Sequence, residues 1–370
     1  MNVFVIGKFD SIYMYQYVKE VLCADGFERN KKYYFFHSGK EISDTYIKYY
    51  NKVADKIYYE KPHRWIRDSL KEALNDAGDI DVIHIHYIQL WYYSAIKKNK
   101  KESCRLILTA WGSDLLRLPK KYYKRMKKFI YISDCIVVGT NNLKSFLLNN
   151  ISDKIENKIV KARFGTPVID EIVNLRNNNV KKIDLKLKYI GNLNKVIITC
   201  GYNGSEFQQH DKIINALSEL DNSYKKDIFL HIPMGYGTTS EYYVYIEGLL
   251  NKSGFEYKID KKFYAPDEMA KIRIITDIFI HGQTTDASSS SVFEYVYAGA
   301  LLVNGKWLKY PELDQYGILY EEFEDFSQLS DIIQKIIMND ITSNINKDKC
   351  NNLLKTRSWK YLRRDWQELY

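Results

Sequence analysis

The chain has 370 residues, 45% of them apolar, which is long for one hydrophobic core and comfortable for two domains. Its 55 Lys and Arg against 46 Asp and Glu leave a net charge of +9, an excess that suits a nucleic acid, an anionic membrane or a phosphorylated substrate. No nucleic-acid-binding motif accompanies that charge, no apolar run approaches the roughly 18 residues of a membrane span, and Met1 leads straight into a strand without a signal peptide.

The five cysteines, Cys23, Cys104, Cys135, Cys200 and Cys350, are dispersed and form no C-x-x-C pair. Such a set reads as reduced thiols in a cytoplasmic protein. His84 and His86 have no Cys or carboxylate arrangement beside them that suggests a metal. The 32 tyrosines, with many Lys, Asn and Ile, fit an AT-rich genome better than a special function.

Short apolar strands alternate with longer helical patterns. Strands are expected at Val3–Gly7, Lys32–His37, Val82–His86, Leu106–Thr109 and Cys135–Gly139, and helices at Tyr13–Leu22, Arg64–Asp76 and Asn141–Leu148. The polar segment Asn174–Lys188, with Asn177-Asn178-Asn179 and Lys181-Lys182, reads as a linker or a weak hairpin. A second series then opens, with strands at Lys195–Cys200, Ile228–Pro233, Tyr257–Ile259, Ile278–His281 and Leu301–Val303 and a helix around Asp211–Leu220. A helical segment, Lys355–Tyr370, closes the chain. Two successive βα series predict two doubly wound α/β units with parallel sheets.

In such folds ligands bind at the carboxyl ends of the strands. There the chain places polar residues. Asp81-Val82-Ile83-His84-Ile85-His86 puts His86 at a strand end, whereas His84 reads as a histidine satisfying a buried group. Thr109-Ala110-Trp111-Gly112-Ser113-Asp114 follows the next strand, and Asp114 is either a substrate contact or the cap of the Leu115-Leu116-Arg117 turn. Gly201-Tyr202-Asn203-Gly204-Ser205 permits close backbone approach to phosphate, or is simply a glycine turn. Pro233-Met234-Gly235-Tyr236-Gly237 is a second glycine loop, and Tyr264 is either a base-stacking ring or core.

Gln283–Gly299 is the most informative stretch. Asp286 is followed by Ser288, Ser289, Ser290 and Ser291, and Glu294 lies eight residues after Asp286. A serine caps a helix that runs inward at Val292, Val296 and Tyr297 and stops at Gly299. The free N–H groups and positive dipole end at Ser289–Val292 suit a diphosphate. Glu294, about one turn inside, reaches the hydroxyls of an attached sugar. By itself the segment is equally an ordinary serine-capped helix with two solvated acids.

The spacing resembles the acid–seven residues–acid element of retaining GT-B glycosyltransferases, Glu-Gly-Phe-Gly-x-x-x-x-Glu-Ala-x-Ala-x-Gly. Glu294-Tyr295-Val296-Tyr297-Ala298-Gly299 matches its second half, with Asp286 for the first Glu and serines for the glycines. The Asp-x-x-His-x-His strand and the Thr-x-His-Gly-x-Asp turn of that family, of the family 4 type, are matched by Asp81–His86 and Thr109–Asp114, with Trp111 in place of His. The Arg and Lys that commonly follow the family's glycine loop are absent; Gln208-Gln209-His210-Asp211-Lys212 stands there, and His210 or Lys212 is the candidate substitute.

The resemblance implies two Rossmann-like domains facing a cleft, over 1–172 and 190–354, with 355–370 packing back on the first. It implies a hexosyltransferase-type enzyme. A nucleotide sugar bound by the second domain would give up its sugar to a hydroxyl of a glycan, lipid-linked in bacterial surface polysaccharide synthesis (lipopolysaccharide, O-antigen or capsule), with retention and without a metal or other cofactor. Asp286, His86 and Asp114 would serve the transferred sugar and acceptor. Glu294 would hold the ribose, and Ser289, Ser290, Ser291, Val292, Gly201, Asn203, Gly204, His210, Lys212, Gly235 and Tyr264 the rest of the donor. Domain closure would exclude water. The run Lys120–Ile130 is basic and aromatic, with Tyr122, Met126 and Phe129 at helical spacing. It suits a helix lying on an anionic membrane through Lys121, Lys124, Lys127 and Lys128, placing the protein in the cytoplasm at the inner face of the membrane, or else a solvated basic face. No nucleic-acid partner is expected. Two other readings remain: a nucleotide-sugar 2-epimerase of the same fold, and a non-catalytic glycan- or nucleotide-binding module.

Overall fold

Strands covered on both faces carry near-continuous apolar runs. Val82–His86, Cys135–Val138, Ile228–Pro233 and Leu301–Gly305 are buried at every position. The computed structural model describes residues 1–24, 27, 30–39, 41–61, 65–286, 288–339 and 349–370. Arg64 of one expected helix, Ala287 within the diacid segment and 340–348 of the expected second domain lie outside the described residues.

The chain divides into two units, Met1–Gly165 with Leu362–Tyr370, and Thr166–Tyr361. In the first, β1 (Asn2–Gly7), β2 (Lys32–His37), β3 (Lys56–Tyr59), β4 (Val82–His86), β5 (Arg105–Ala110), β6 (Cys135–Val138) and β7 (Ile159–Lys161) form a parallel sheet in the order β3-β2-β1-β4-β5-β6-β7. Side chains alternate across it. Phe4, Ile6, Ile83 and Ile85 enter one core with Met126, Phe129 and Ile130. Val82, His84 and His86 therefore share the opposite face.

In the second unit, β8 (Val196–Cys200), β9 (Ile228–Pro233), β10 (Glu256–Asp260), β11 (Ile278–His281), β12 (Leu301–Gly305) and β13 (Glu321–Phe323) are parallel in the order β10-β9-β8-β11-β12-β13. The strand order reverses between β1 and β4 in one sheet and between β8 and β11 in the other. Those are the points at which doubly wound sheets open to ligands.

Four expectations are corrected. Asn174–Lys188 is neither linker nor hairpin. Helices Pro167–Asn177 and Lys182–Ile190 occupy it, with Ile169 and Ile172 buried, and the Asn run is their turn, Asn179 taking the left-handed conformation at φ 56°. The first of these helices belongs to the second unit and packs into its core. Lys355–Tyr370 is broken: Asn351–Arg357 and Trp359–Gln367 meet at an extended Ser358. The expected helix to Leu22 is α-helical only over Ile12–Tyr17 and π-helical over Val18–Leu22. Finally, the helix Tyr123–Tyr131 turns Met126 and Phe129, both 0% exposed, into the core, so they form no outward apolar stripe with Tyr122. Lys121, on the 3-10 turn Lys120–Tyr122 before it, and Lys124 and Lys128 on the helix are exposed, and Lys127 is half-buried.

Candidate functional site

The diacid segment folds locally as its spacing predicts. Ser289 Oγ accepts the Ser291 N–H at 3.3 Å, the helix runs Ser290–Ala298, and Gly299 closes it at φ 110°. Val292 is fully buried and Ser290 and Ser291 half-buried at its first turn. Glu294 is not solvated. It is 5% exposed, with Oε1 accepting from Thr166 Oγ1 at 2.5 Å and Oε2 facing Arg273 Nε at 3.2 Å. Arg273, on the helix Pro266–Ile275, is 2% exposed and lies 3.9 Å over the Tyr295 ring. A buried charge requires such a partner.

Asp286 is held from three sides. Oδ1 accepts the Ser288 N–H at 3.0 Å, Oδ2 accepts the Tyr310 hydroxyl at 2.8 Å, and His281 Nε2 stands 3.4 Å away, too poorly aligned for a hydrogen bond. Burial by itself would raise its pKa, but His281 and these donors outweigh it and hold the carboxyl below the usual range. Asn304 fixes the histidine: its amide N–H groups go to Gly305 O and Leu308 O, so its Oδ1 accepts from His281 Nδ1 at 3.1 Å.

Arg273 also lines a cleft at the ends of β9 and β10, together with Tyr202, Gly235, Tyr236, Lys262 and Tyr264 among others. Gly235 is required there, since a Cβ would fall 2.3 Å from Lys262 O. In the cleft wall, Asp260 accepts from His231 Nε2 at 2.9 Å and from the Tyr189 hydroxyl at 2.6 Å, and the Tyr264 phenol lies against it. Burial opposes the Asp260 charge, but these donors depress its pKa strongly.

The glycine loop after β8 closes on the neighbouring turn. Gly201 has φ 67°, and a Cβ there would meet Gln208 Oε1 at 2.9 Å and His210 Nε2 at 3.0 Å. Asn203 Oδ1 accepts the Ser205 N–H at 2.9 Å, and a Cβ on Gly204 would strike Thr238. His210 is fully buried against the Tyr242 hydroxyl, and burial pulls its pKa down to about 3. It is uncharged at neutral pH, so the expectation that it replaces the missing Arg or Lys is corrected. Lys212 is exposed and donates to Gln209 Oε1 at 2.7 Å.

In the first unit His86 is 1% exposed. It stacks on His84 at 4.2 Å between ring centroids and packs against Tyr17, Trp111, Phe164 and Trp366. Neither ring nitrogen has a hydrogen-bond partner, and burial keeps the imidazole neutral. His84 is satisfied, by Thr109 Oγ1 at 2.7 Å and the Tyr370 hydroxyl at 2.5 Å. Asp114 is 6% exposed, and its carboxylate accepts the N–H groups of Ile88, Trp111 and Gly112 at 2.8–3.0 Å. It ties the loop after β4 to the turn after β5. Burial raises its pKa, and the three N–H bonds oppose that rise.

Sequence reasoning passed over Arg273, Thr166, Tyr202 and His281. Arg273 alone carried a signal, a guanidinium inside the apolar run Ile272-Arg273-Ile274-Ile275. The others come from segments far apart in the chain. Among the described residues no three His, Cys, Asp or Glu side chains group as a metal site requires, and no helix is long and apolar enough to cross a membrane.

Two α/β units, each built on a parallel sheet whose strand order reverses, define a doubly wound architecture. The segment 41–169 matches the family model described as "Glycosyl transferase 4-like". No curated protein sequence matches the chain. Among solved structures, the chain is similar to HepE from Anabaena in complex with UDP and glucose, at 12% identity and a TM-score of 0.70, covering 100% of this chain and 99% of that one. A glycosyltransferase from Rickettsia africae gives 14% identity and a TM-score of 0.73, covering 100% and 97%. WaaG, a glycosyltransferase involved in lipopolysaccharide biosynthesis, gives 11% and 0.65, covering 100% and 99%. The chain has the GT-B fold and resembles the glycosyltransferases of the family 4 type.

Proposed function

We propose that the chain is a retaining hexosyltransferase that moves a sugar from a nucleotide diphosphate to a hydroxyl of a lipid-linked glycan in bacterial surface polysaccharide synthesis. One observation supports this reading most: Arg273, which pairs with Glu294 and reaches Ser291 on the first turn of the same helix, also lines the cleft at the ends of β9 and β10. The base enters the cleft by Tyr264 and Gly235. The diphosphate meets the backbone of Ser289–Val292 and of Gly201–Gly204, where the helix dipole stabilises the departing charge without a metal. Glu294 takes the ribose, a ribose hydroxyl replacing Thr166 on Oε1. Asp286, fixed by Tyr310 and His281, orients the transferred sugar. The leaving phosphate accepts the acceptor's proton on the same face. Asp114 shapes the acceptor side by holding its loops, and His86 supports it from beneath.

HepE, solved with UDP and glucose, and WaaG, involved in lipopolysaccharide biosynthesis, support the donor class and the pathway class. The exposed lysines of the basic helix and the +9 net charge support work at an anionic inner membrane face. The test is a thermal-shift screen of nucleotide sugars, UDP-glucose first, with EDTA present. A true donor at 100 times its dissociation constant adds about 2.7 kcal/mol of stability. The anomer released by slow donor hydrolysis, read by NMR, reports retention. Absence of any shift across the panel overturns the reading.

A further inference from the structure

A buried guanidinium with an unmet donor is costly. Arg273 is one. Its Nε faces Glu294, its Nη2 stands 3.4 Å from Ser291 Oγ, and its plane is set by the Tyr295 ring, yet buried Nη1 has no hydrogen-bond partner. Arg273 also lines the cleft. The other basic side chains there do not compete: Lys262 is exposed and paired with Glu268 at 3.0 Å, and His231 is buried and held neutral. The loop after β8 offers no cation within the cleft wall, because His210 is uncharged beneath Gly201.

Resting on the donor reading above, we propose that Arg273 is the cation that binds the donor's phosphates, in place of the basic pair that the β8 loop lacks. Glu294, Ser291 and Tyr295 hold one edge and the face of the guanidinium, which leaves Nη1 for a phosphate oxygen. Ser291 and Glu294 stand on the helix whose N-terminus meets the same anion, so guanidinium and helix dipole act together. Without a ligand, Glu294 compensates the buried charge. With one, Nη1 gains a charge-assisted bond at no cost of ordering the side chain. Glu294 is then a positioning residue for the phosphates as well as a ribose contact.

The test compares UDP, GDP and ADP with uridine, guanosine and adenosine on the full chain by calorimetric titration. For whichever diphosphate the parent binds, Arg273→Lys weakens binding about tenfold and Arg273→Gln about 100-fold, while the matching nucleoside changes less than about twofold. Should Arg273→Gln fail to fold, the pair Arg273→Gln with Glu294→Gln removes both buried charges, and it is compared with Glu294→Gln alone. Equal loss for nucleoside and diphosphate, or undiminished diphosphate affinity in a folded Arg273 variant, overturns the assignment while the donor reading stands. A parent that binds none of the three diphosphates overturns both.

Discussion

Two buried polar clusters, one in each unit, differ in how their groups are matched. In the second unit Arg273 and Glu294 neutralise each other beside an open cleft, with one donor left over. In the first unit His84 and His86 lie beneath aromatic rings, His84 fully bonded and His86 with neither nitrogen bonded. Both clusters are buried, but the surroundings assign different work. A charge pair at a cleft wall can exchange partners with a ligand. A neutral imidazole under Tyr17, Phe164 and Trp366 first of all fills space.

The largest effect should come from breaking the charged cluster. Glu294→Ala leaves Arg273 buried and unpaired and is expected to cost about 3–5 kcal/mol in denaturant unfolding. Glu294→Gln, which keeps a hydrogen bond, should cost clearly less. Equal, small losses for both would mean that Arg273 finds water, and the contrast between the clusters would weaken.

Acid should act on both units. Burial holds folded His84 and His210 at about 3, whereas an unfolded histidine titrates near about 6.5. Between those values the unfolded chain binds a proton that the folded chain refuses. Stability is therefore present above about 6.5 and is lost as pH falls towards 3, by up to about 1.4 kcal/mol per pH unit for each histidine. Urea unfolding from pH 7.5 to 4.5 measures the slope, and His210→Gln should reduce it. A flat profile contradicts the buried neutral state.

The third probe asks whether His86 only fills space. His86→Ala should cost about 2 kcal/mol or more through the cavity it leaves, and His86→Leu should stay within about 1 kcal/mol of the parent because it removes two unmet polar atoms. If His86→Leu keeps its stability but loses transfer activity, the histidine acts on substrate and not only on packing.

The smallest effect is on the surface. Changing Lys121, Lys124, Lys127 and Lys128 together to Gln should move stability by no more than about 0.5 kcal/mol. It should nevertheless abolish co-sedimentation with anionic vesicles, since each charge near such a surface contributes about 1 kcal/mol. A quadruple variant that still pellets with vesicles would make the helix a solvated face.

The sequence by itself determined the repeating strand–helix order, the two-unit plan and the capped helix of the diacid segment. These rest on local patterns: apolar runs for doubly covered strands, serine before the helix and glycine after it. It missed β3, β7 and β13, short strands at sheet edges where half the pairing is absent and charged residues intrude. It read the Asn run as a linker because the apolar spacing on either side, Val168 to Ile172 and Leu185 to Tyr189, is satisfied only by residues far along the chain, Phe229, Phe279 and Val292 among them. Only the tertiary structure decided what the polar residues do. Glu294 carried no mark of burial until Arg273, 21 residues away, and Thr166, 128 residues away, closed on it. Likewise the period of two put His86 on a sheet face, but whether that face met solvent or rings depended on Trp366, from the far end of the chain. Local pattern fixes elements because it acts within a turn or a pleat, whereas the charge state and partners of a buried group depend on residues that meet only after folding.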